Sequence, residues 1–575
     1  MGQVLSKVDG VLRSLGGYAL LSSTLALSAL LATIRVDLGH LTLAAIWFGV
    51  VVVEIVTRGY AREFIQAARA KAPSPWDLDG LGVGHVVRVV GIIALLVFAI
   101  QKDAQSLFVS GTVLGLVAIV LEPVTGRIVR RNVLSVYANV PWRTAPNRPL
   151  ALRFVIYAID AFLPVIGFAF GVDSLGAAAV WLLGFASLSI QLILLFGAFT
   201  FARDRQAFEQ TLSRDLAEYG PKFVLYWDAA VGTEYQVGMW IPYLERIGSR
   251  FAVVLRNRQN LHAVAALTSS PVIVRQSMAS LEDVVVPSIK VAFYVNNAIK
   301  NAHFARFLEF THIQLNHGDS DKPPSYNPVM RMYDRNFVAG PAAIERYTSR
   351  GIETHPNFFE IVGRPQIEGV EVVQGSPNRQ HTVLYAPTWA GFMSDTAYSS
   401  LEVGPKMIKS LLARGVNVIF RPHPYSRQSP SLASACEEIT EILTLDQQTS
   451  GRSHKFGDIA ERELSVVDCF NASTAMIADV SSVVPDYLYS KKPFALLSMG
   501  FDTQEGFIAE NPLALAGYLI RKDLSNLEAE LDRLLGADDL RITREQFRTA
   551  YLGDFPDETY AEGFLEVARR YVNGQ

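Results

Sequence analysis

Residues 1–200 of this 575-residue chain hold nearly all of its long, charge-poor apolar runs, whereas from about residue 201 charges recur every few positions. Such a break joins two classes of segment that cannot share one core: a lipid-compatible part and an ordinary globular part. Six runs, at about 17–34, 40–57, 84–101, 106–122, 151–171 and 176–199, come near the roughly 20 residues that cross a hydrocarbon layer. The first passes into the second within a few residues and carries no convincing cleavage site, which argues against a signal peptide.

Basic residues orient the runs. Arg58, Arg62, Arg69, Lys71 and Arg88 fall between the second and third, and Arg127, Arg130, Arg131, Arg143 and Arg148 between the fourth and fifth. The remaining connections are short and carry few charges, so both termini and the two long loops are expected on the cytoplasmic side of the plasma membrane. Two loop stretches, RGYAREFIQAARAKAP and GRIVRRNVL, read as basic surface helices suited to anionic headgroups. Glu54 and Asp160 are the charges noted within the runs, few for a transporter, and an anchoring role is the expectation.

Net charge is -3, from 52 basic and 55 acidic residues, which gives no overall field for nucleic acid. Two cysteines, Cys436 and Cys469, make a disulfide framework impossible and read as buried thiols.

After a charged linker over 201–220, eleven short apolar runs alternate with amphipathic stretches, the pattern of βα units on parallel sheets. Eleven strands exceed what one open sheet usually holds. The expected architecture is therefore an α-helical membrane bundle (1–200), the linker helix (201–220) and a two-lobed, GT-B-like α/β domain. Its Rossmann-like lobes would span 221–370 and 371–575, with the boundary in a loop-like stretch near 365–380. Ligands in such folds sit beyond the carboxyl ends of strands, and four groups of chemically capable residues collect there.

In IQLNHGDSDK, His317 follows a strand and precedes Gly318, where backbone can approach a ligand; the same letters also suit a plain surface turn. In VLYAPTWAG, Pro387 stops a strand before Thr388 and Trp389. In RPHPYS, Arg421 offers a fork of donors for phosphate, and His423 is held between Pro422 and Pro424. In STAMIADVSSVVPDYL, a strand ends at Asp479 and Ser481 and Ser482 open a helix, with two readings: an anion site or simple capping. Asp486, one turn on, could hold ribose hydroxyls or favour the helix dipole.

These four groups, in this order, resemble the CDP-glycerol glycerophosphotransferase family of teichoic-acid primases and polymerases. His317-Gly318, Ala386 to Trp389, Arg421 to Pro424, and Asp479 to Ser482 with Asp486 match the family's motifs, and Val362 to Gln366 (VGRPQ) looks like its Gly-x-Pro-Arg turn, with Arg364 ahead of the proline. Departures are Asp319 and Ser320 where the family has Thr and Pro, and Gln366 where it has Arg. The resemblance covers about 220–530.

It implies transfer of glycerol phosphate from CDP-glycerol, or ribitol phosphate from CDP-ribitol, to a hydroxyl of a lipid-linked or polyol-phosphate acceptor, releasing CMP. His317 is the implied base. His423 and Arg421 would stabilise the phosphoryl group and leaving phosphate; Thr388, Ser481, Ser482, Asp486, Gly318 and Arg364 are the implied binding residues. No cofactor is implied, and no carboxylate cluster supports a Mg²⁺ requirement. Rival readings are a nucleotide-sugar glycosyltransferase or epimerase of the same fold, a non-catalytic membrane assembly protein with a decayed site, and a transporter with a regulatory domain.

Overall fold

A computed structural model describes residues 15–36, 38–69, 83–132, 136–143, 151–373, 381–389 and 398–575. Two compact units emerge: 1–136 with 143–212, and 137–142 with 213–575. Lys71 and Arg148, and the domain-boundary loop over 374–380, lie outside the described residues.

The first unit is helical, with Leu15–Arg35, His40–Arg69, Val83–Gln101, Ser106–Asn132, Ala151–Phe170 and Ser174–Tyr219. Each expected apolar run thus forms a helix, because its backbone can then satisfy its own hydrogen bonds without water. Among the described residues only two helices, over Ser106–Ile128 and Ser174–Tyr219, are long and apolar enough to cross a membrane. The apolar parts of the others are shorter: Leu21–Arg35, His40–Val56, His85–Gln101 and Val155–Phe170. Charged residues after 200 continue the last helix to Tyr219 rather than starting a separate one.

Trp47, Ile92, Leu95, Phe98, Leu163 and Val180 pack inside, while Leu27, Phe48, Phe185 and Phe196 face outward. Apolar groups on both inner and outer faces distinguish these helices from those of a water-soluble bundle. The two helices long enough to span cross on glycine: a Cβ on Gly184 would stand 2.0 Å from the carbonyl oxygen of Gly111. Such close backbone approach is how apolar helices pack without a hydrophobic driving force.

Arg88, assigned by sequence to a loop, lies instead within Val83–Gln101 and is buried. It donates to Glu122 at 2.9 Å, approaches Asp160 at 3.6 Å and lies over the Tyr157 ring. His85 completes the group at 2.9 Å from Glu122. Intra-bundle charge is therefore larger than Glu54 and Asp160 alone, and it is internally paired.

The second unit contains two sheets. The first comprises β1 (Tyr137–Ala138), β2 (Phe223–Trp227), β3 (Phe251–Leu255), β4 (Val272–Val274), β5 (Val291–Tyr294), β6 (Thr311–Gln314), β7 (Arg335–Val338) and β8 (Phe359–Ile361). Their order is β1-β4-β3-β2-β5-β6-β7-β8, parallel except for β1, which pairs antiparallel with β4. The second has β9 (Thr382–Ala386), β10 (Asn417–Phe420), β11 (Ala475–Ala478), β12 (Phe494–Leu497) and β13 (Tyr518–Ile520) in the order β10-β9-β11-β12-β13, all parallel.

Strands such as FVLYW and FAVVL are buried at every position, as a sheet covered on both faces requires. In each sheet the order reverses beside the first of the parallel strands, between β2 and β5 and between β9 and β11. These are the topological switch points where doubly wound sheets open a crevice.

The chain's last helix, Glu562–Asn573, returns to the first lobe rather than staying with the second. Phe564 packs on Trp240 with ring centroids 5.1 Å apart, and Tyr571 takes a hydrogen bond from Arg335. Arg346 binds both Asp319 and Asp321, and Tyr551, from helix Arg541–Leu552, donates to Asp321. Both cysteines are free and buried.

Gly184→Val should lower the thermal unfolding midpoint of the detergent-solubilised chain, since the added methyls meet backbone that cannot yield, at a cost of about 1–3 kcal/mol or more. Gly197→Val, in open space on the same helix, serves as the control and should leave the midpoint within error. Arg346→Met leaves two carboxylates facing one another and should cost about 3–5 kcal/mol, read as a lower urea midpoint.

Candidate active site

The switch point of the second sheet is where the site begins. Asp479 directly follows β11, and its Oδ2 accepts the backbone N–H of Thr388 (2.8 Å) and of Ser400 (3.1 Å). One carboxylate thereby fixes the loop that leaves β9. Burial pushes its pKa up to about 6, against the pull of those donors and of Lys322. Sequence reading placed Asp479 at a strand end and in the matched motif but gave it no role, though an acid closing a fully apolar strand is itself a signal.

His423 follows β10, with its N–H bonded to the carbonyl of Pro387 at 3.0 Å. Its Nδ1 accepts the N–H of Tyr425 at 3.1 Å. A backbone N–H can only donate, so Nδ1 carries the lone pair and, in the neutral ring, Nε2 carries the hydrogen. Burial lowers the pKa to about 4, with Lys322 and His317 adding repulsion. The ring also stacks on Trp389, centroids 6.0 Å apart. His423 is therefore a neutral hydrogen-bond donor at pH 7.

His317 comes from the first lobe, beyond β6, and has the opposite polarity. Its Nδ1 lies 2.8 Å from the carbonyl oxygen of Val295, at the end of β5. A carbonyl can only accept, so Nδ1 holds the hydrogen and Nε2 keeps its lone pair. Burial lowers this pKa too, so the ring is uncharged at neutral pH and able to accept a proton.

The sharp bend expected at Gly318 occurs two residues earlier, at Asn316 (φ 56°), a residue type that tolerates the left-handed region. Gly318 is needed for another reason. A Cβ there would sit 2.9 Å from Cβ and Oγ of Ser482, so the lobes approach through the missing side chain. Lys322 spans the same crevice, its Nζ 3.4 Å from Thr388 Oγ1. His317, Gly318, Lys322, Thr388, His423 and Ser482 are thus brought together from both lobes.

Three sequence-assigned residues are used otherwise. Arg421 turns Nη1 onto the carbonyl oxygens of Ala460 and, at 2.7 Å, Leu464, bracing its own lobe instead of presenting that edge to phosphate. Arg364 and Asp486 bond one another and are both buried, which occupies the carboxylate assigned to ribose. The helix after Ser482 has only six residues, Val483–Leu488, and Ser482 makes no capping bond, so neither the extended anion site nor the capping reading describes it. Ser481 lies with Ser320, Asp321 and Leu513 around a small cavity at the lobe junction.

Residues 365–528 match the family described as CDP-Glycerol:Poly(glycerophosphate) glycerophosphotransferase. Among solved structures, the wall teichoic acid polymerase TagF is 14% identical, with 64% of this chain and 95% of that chain covered and a TM-score of 0.41. A putative UDP-N-acetylglucosamine 2-epimerase from Listeria monocytogenes is 13% identical, covering 62% of this chain and 98% of its own, with a TM-score of 0.42. No curated protein matches the chain. Residues 365–528 of the chain thus carry a CDP-glycerol glycerophosphotransferase domain, a transferase domain.

Proposed function

We propose that the chain moves glycerol phosphate, or another polyol phosphate, from its CDP derivative to a hydroxyl of a lipid-linked or polymeric cell-envelope acceptor, and that it does so as a multi-pass protein of the plasma membrane with its catalytic unit cytoplasmic. The observation that carries this reading is the pair of neutral imidazoles of opposite tautomer, one from each lobe, facing one crevice.

Nε2 of His317 takes the proton of the incoming hydroxyl. The freed oxygen forms a bond to the β-phosphorus as the bond from that phosphorus to the bridging oxygen breaks. CMP departs with the bridging oxygen and its electron pair. Nε2–H of His423 donates to a phosphoryl oxygen as charge builds there, a role that needs an N–H and no net charge. The six apolar helices, two of them long enough to span, support the membrane-bound part of the reading.

Membranes carrying the wild-type chain should release CMP from labelled CDP-glycerol or CDP-ribitol; release of nucleotide from UDP-sugars alone would end the proposal in favour of glycosyl transfer. His317→Ala should lower kcat/KM by about 10²–10⁴, the usual worth of a positioned base. His423→Ala should cost about 10²–10³, and His423→Gln, which keeps a side-chain N–H, should cost less. The acid limb of kcat/KM should lie below pH 6.5, because His317 has a lowered pKa and loses activity only once it is protonated.

A further inference from the structure

Among the described residues, Lys322 is a cation of the crevice with no carboxylate bonded to it. Its neighbours in sequence, Asp319 and Asp321, are both taken by Arg346, so neither offsets it. Among the described residues its Nζ meets a hydroxyl, Thr388 Oγ1 at 3.4 Å, and the face of the Tyr398 ring, 5.3 Å from the centroid. Among the described residues no carboxylate lies within ion-pair distance of it; Asp479, whose Oδ2 accepts two backbone N–H groups, acts on it only as a charge at longer range. An ammonium drawn out of water with only the distant pull of Asp479 to offset it is costly to keep, and a bound anion would repay it.

Resting on the reading above, we propose that Lys322 is a phosphate-binding residue that takes the donor's diphosphate and neutralises the phosphate that leaves with CMP. It stands at the lobe junction, where the diphosphate would lie between the two histidines, and its positive charge is felt by His423. The acids of the HGDSDK stretch therefore do not repel a nucleotide diphosphate: Arg346 screens them while Lys322 stays available. Burial lowers the Lys322 pKa to about 8, opposed by Asp479; His423 and Tyr398 are the other titratable groups facing it. Its charge is present below that pH and lost above it.

The test is calorimetric binding of CDP and of cytidine to the detergent-solubilised full chain. Lys322→Met should weaken CDP binding about tenfold to a hundredfold, the worth of a charge-assisted contact, leave cytidine binding unchanged, and abolish the fall in CDP affinity that wild type shows above about pH 8. Lys322→Arg should restore most of the CDP affinity. Unchanged CDP affinity in Lys322→Met, or equal losses for CDP and cytidine, overturns the inference even if wild type consumes CDP-glycerol. Wild type that binds CDP in a Lys322-dependent way but never consumes CDP-glycerol or CDP-ribitol ends the functional reading and leaves the lysine's role standing. Wild type that binds no CDP ends both.

Discussion

The two α/β lobes meet where Gly318 faces Ser482 with no room for a side chain. Every group in the crevice depends on that spacing. Lys322 can reach Thr388, and the two imidazoles can feel one another, because the backbone after β6 comes this close to the backbone after β11. A Cβ at residue 318 would stand 2.9 Å from Ser482, short of ordinary contact, so the lobes would have to part there, and small misplacements of reacting groups are costly.

Within that frame, chemistry is set by hydrogen bonds to atoms that cannot change roles. The carbonyl of Val295 and the N–H of Tyr425 are fixed as acceptor and donor, and each dictates the tautomer of one histidine. Identical side chains thereby become a base and a donor. Withdrawal from water keeps both neutral, so pH 7 finds each ring in the form its partner selects.

Much of the lobes was legible in sequence, for a physical reason. Parallel strands buried on both faces are unbroken apolar runs, and all eleven anticipated strands occur. Two strands went unread: β1 has two residues, too few to carry a pattern, and β13 has three, as many as the anticipated β4 and β8. Residues beyond strand ends were found by type and position, which located His317 and His423 but not the use made of each side chain. Arg421 and Arg364 show the limit. A guanidinium at a strand end satisfies phosphate and protein carbonyls equally well, and the choice lies with partners distant in sequence, such as Leu464 and Asp486. The neutralisation of Asp319 by Arg346, 27 residues away, is likewise a tertiary fact.

The return of helix Glu562–Asn573 to the first lobe bears on how the protein is made. Trp240 and Phe337 are laid down 324 and 227 residues ahead of Phe564, their shared aromatic partner. The first lobe therefore waits on the ribosome with an apolar face uncovered, and the two lobes reach their final form together rather than one after the other.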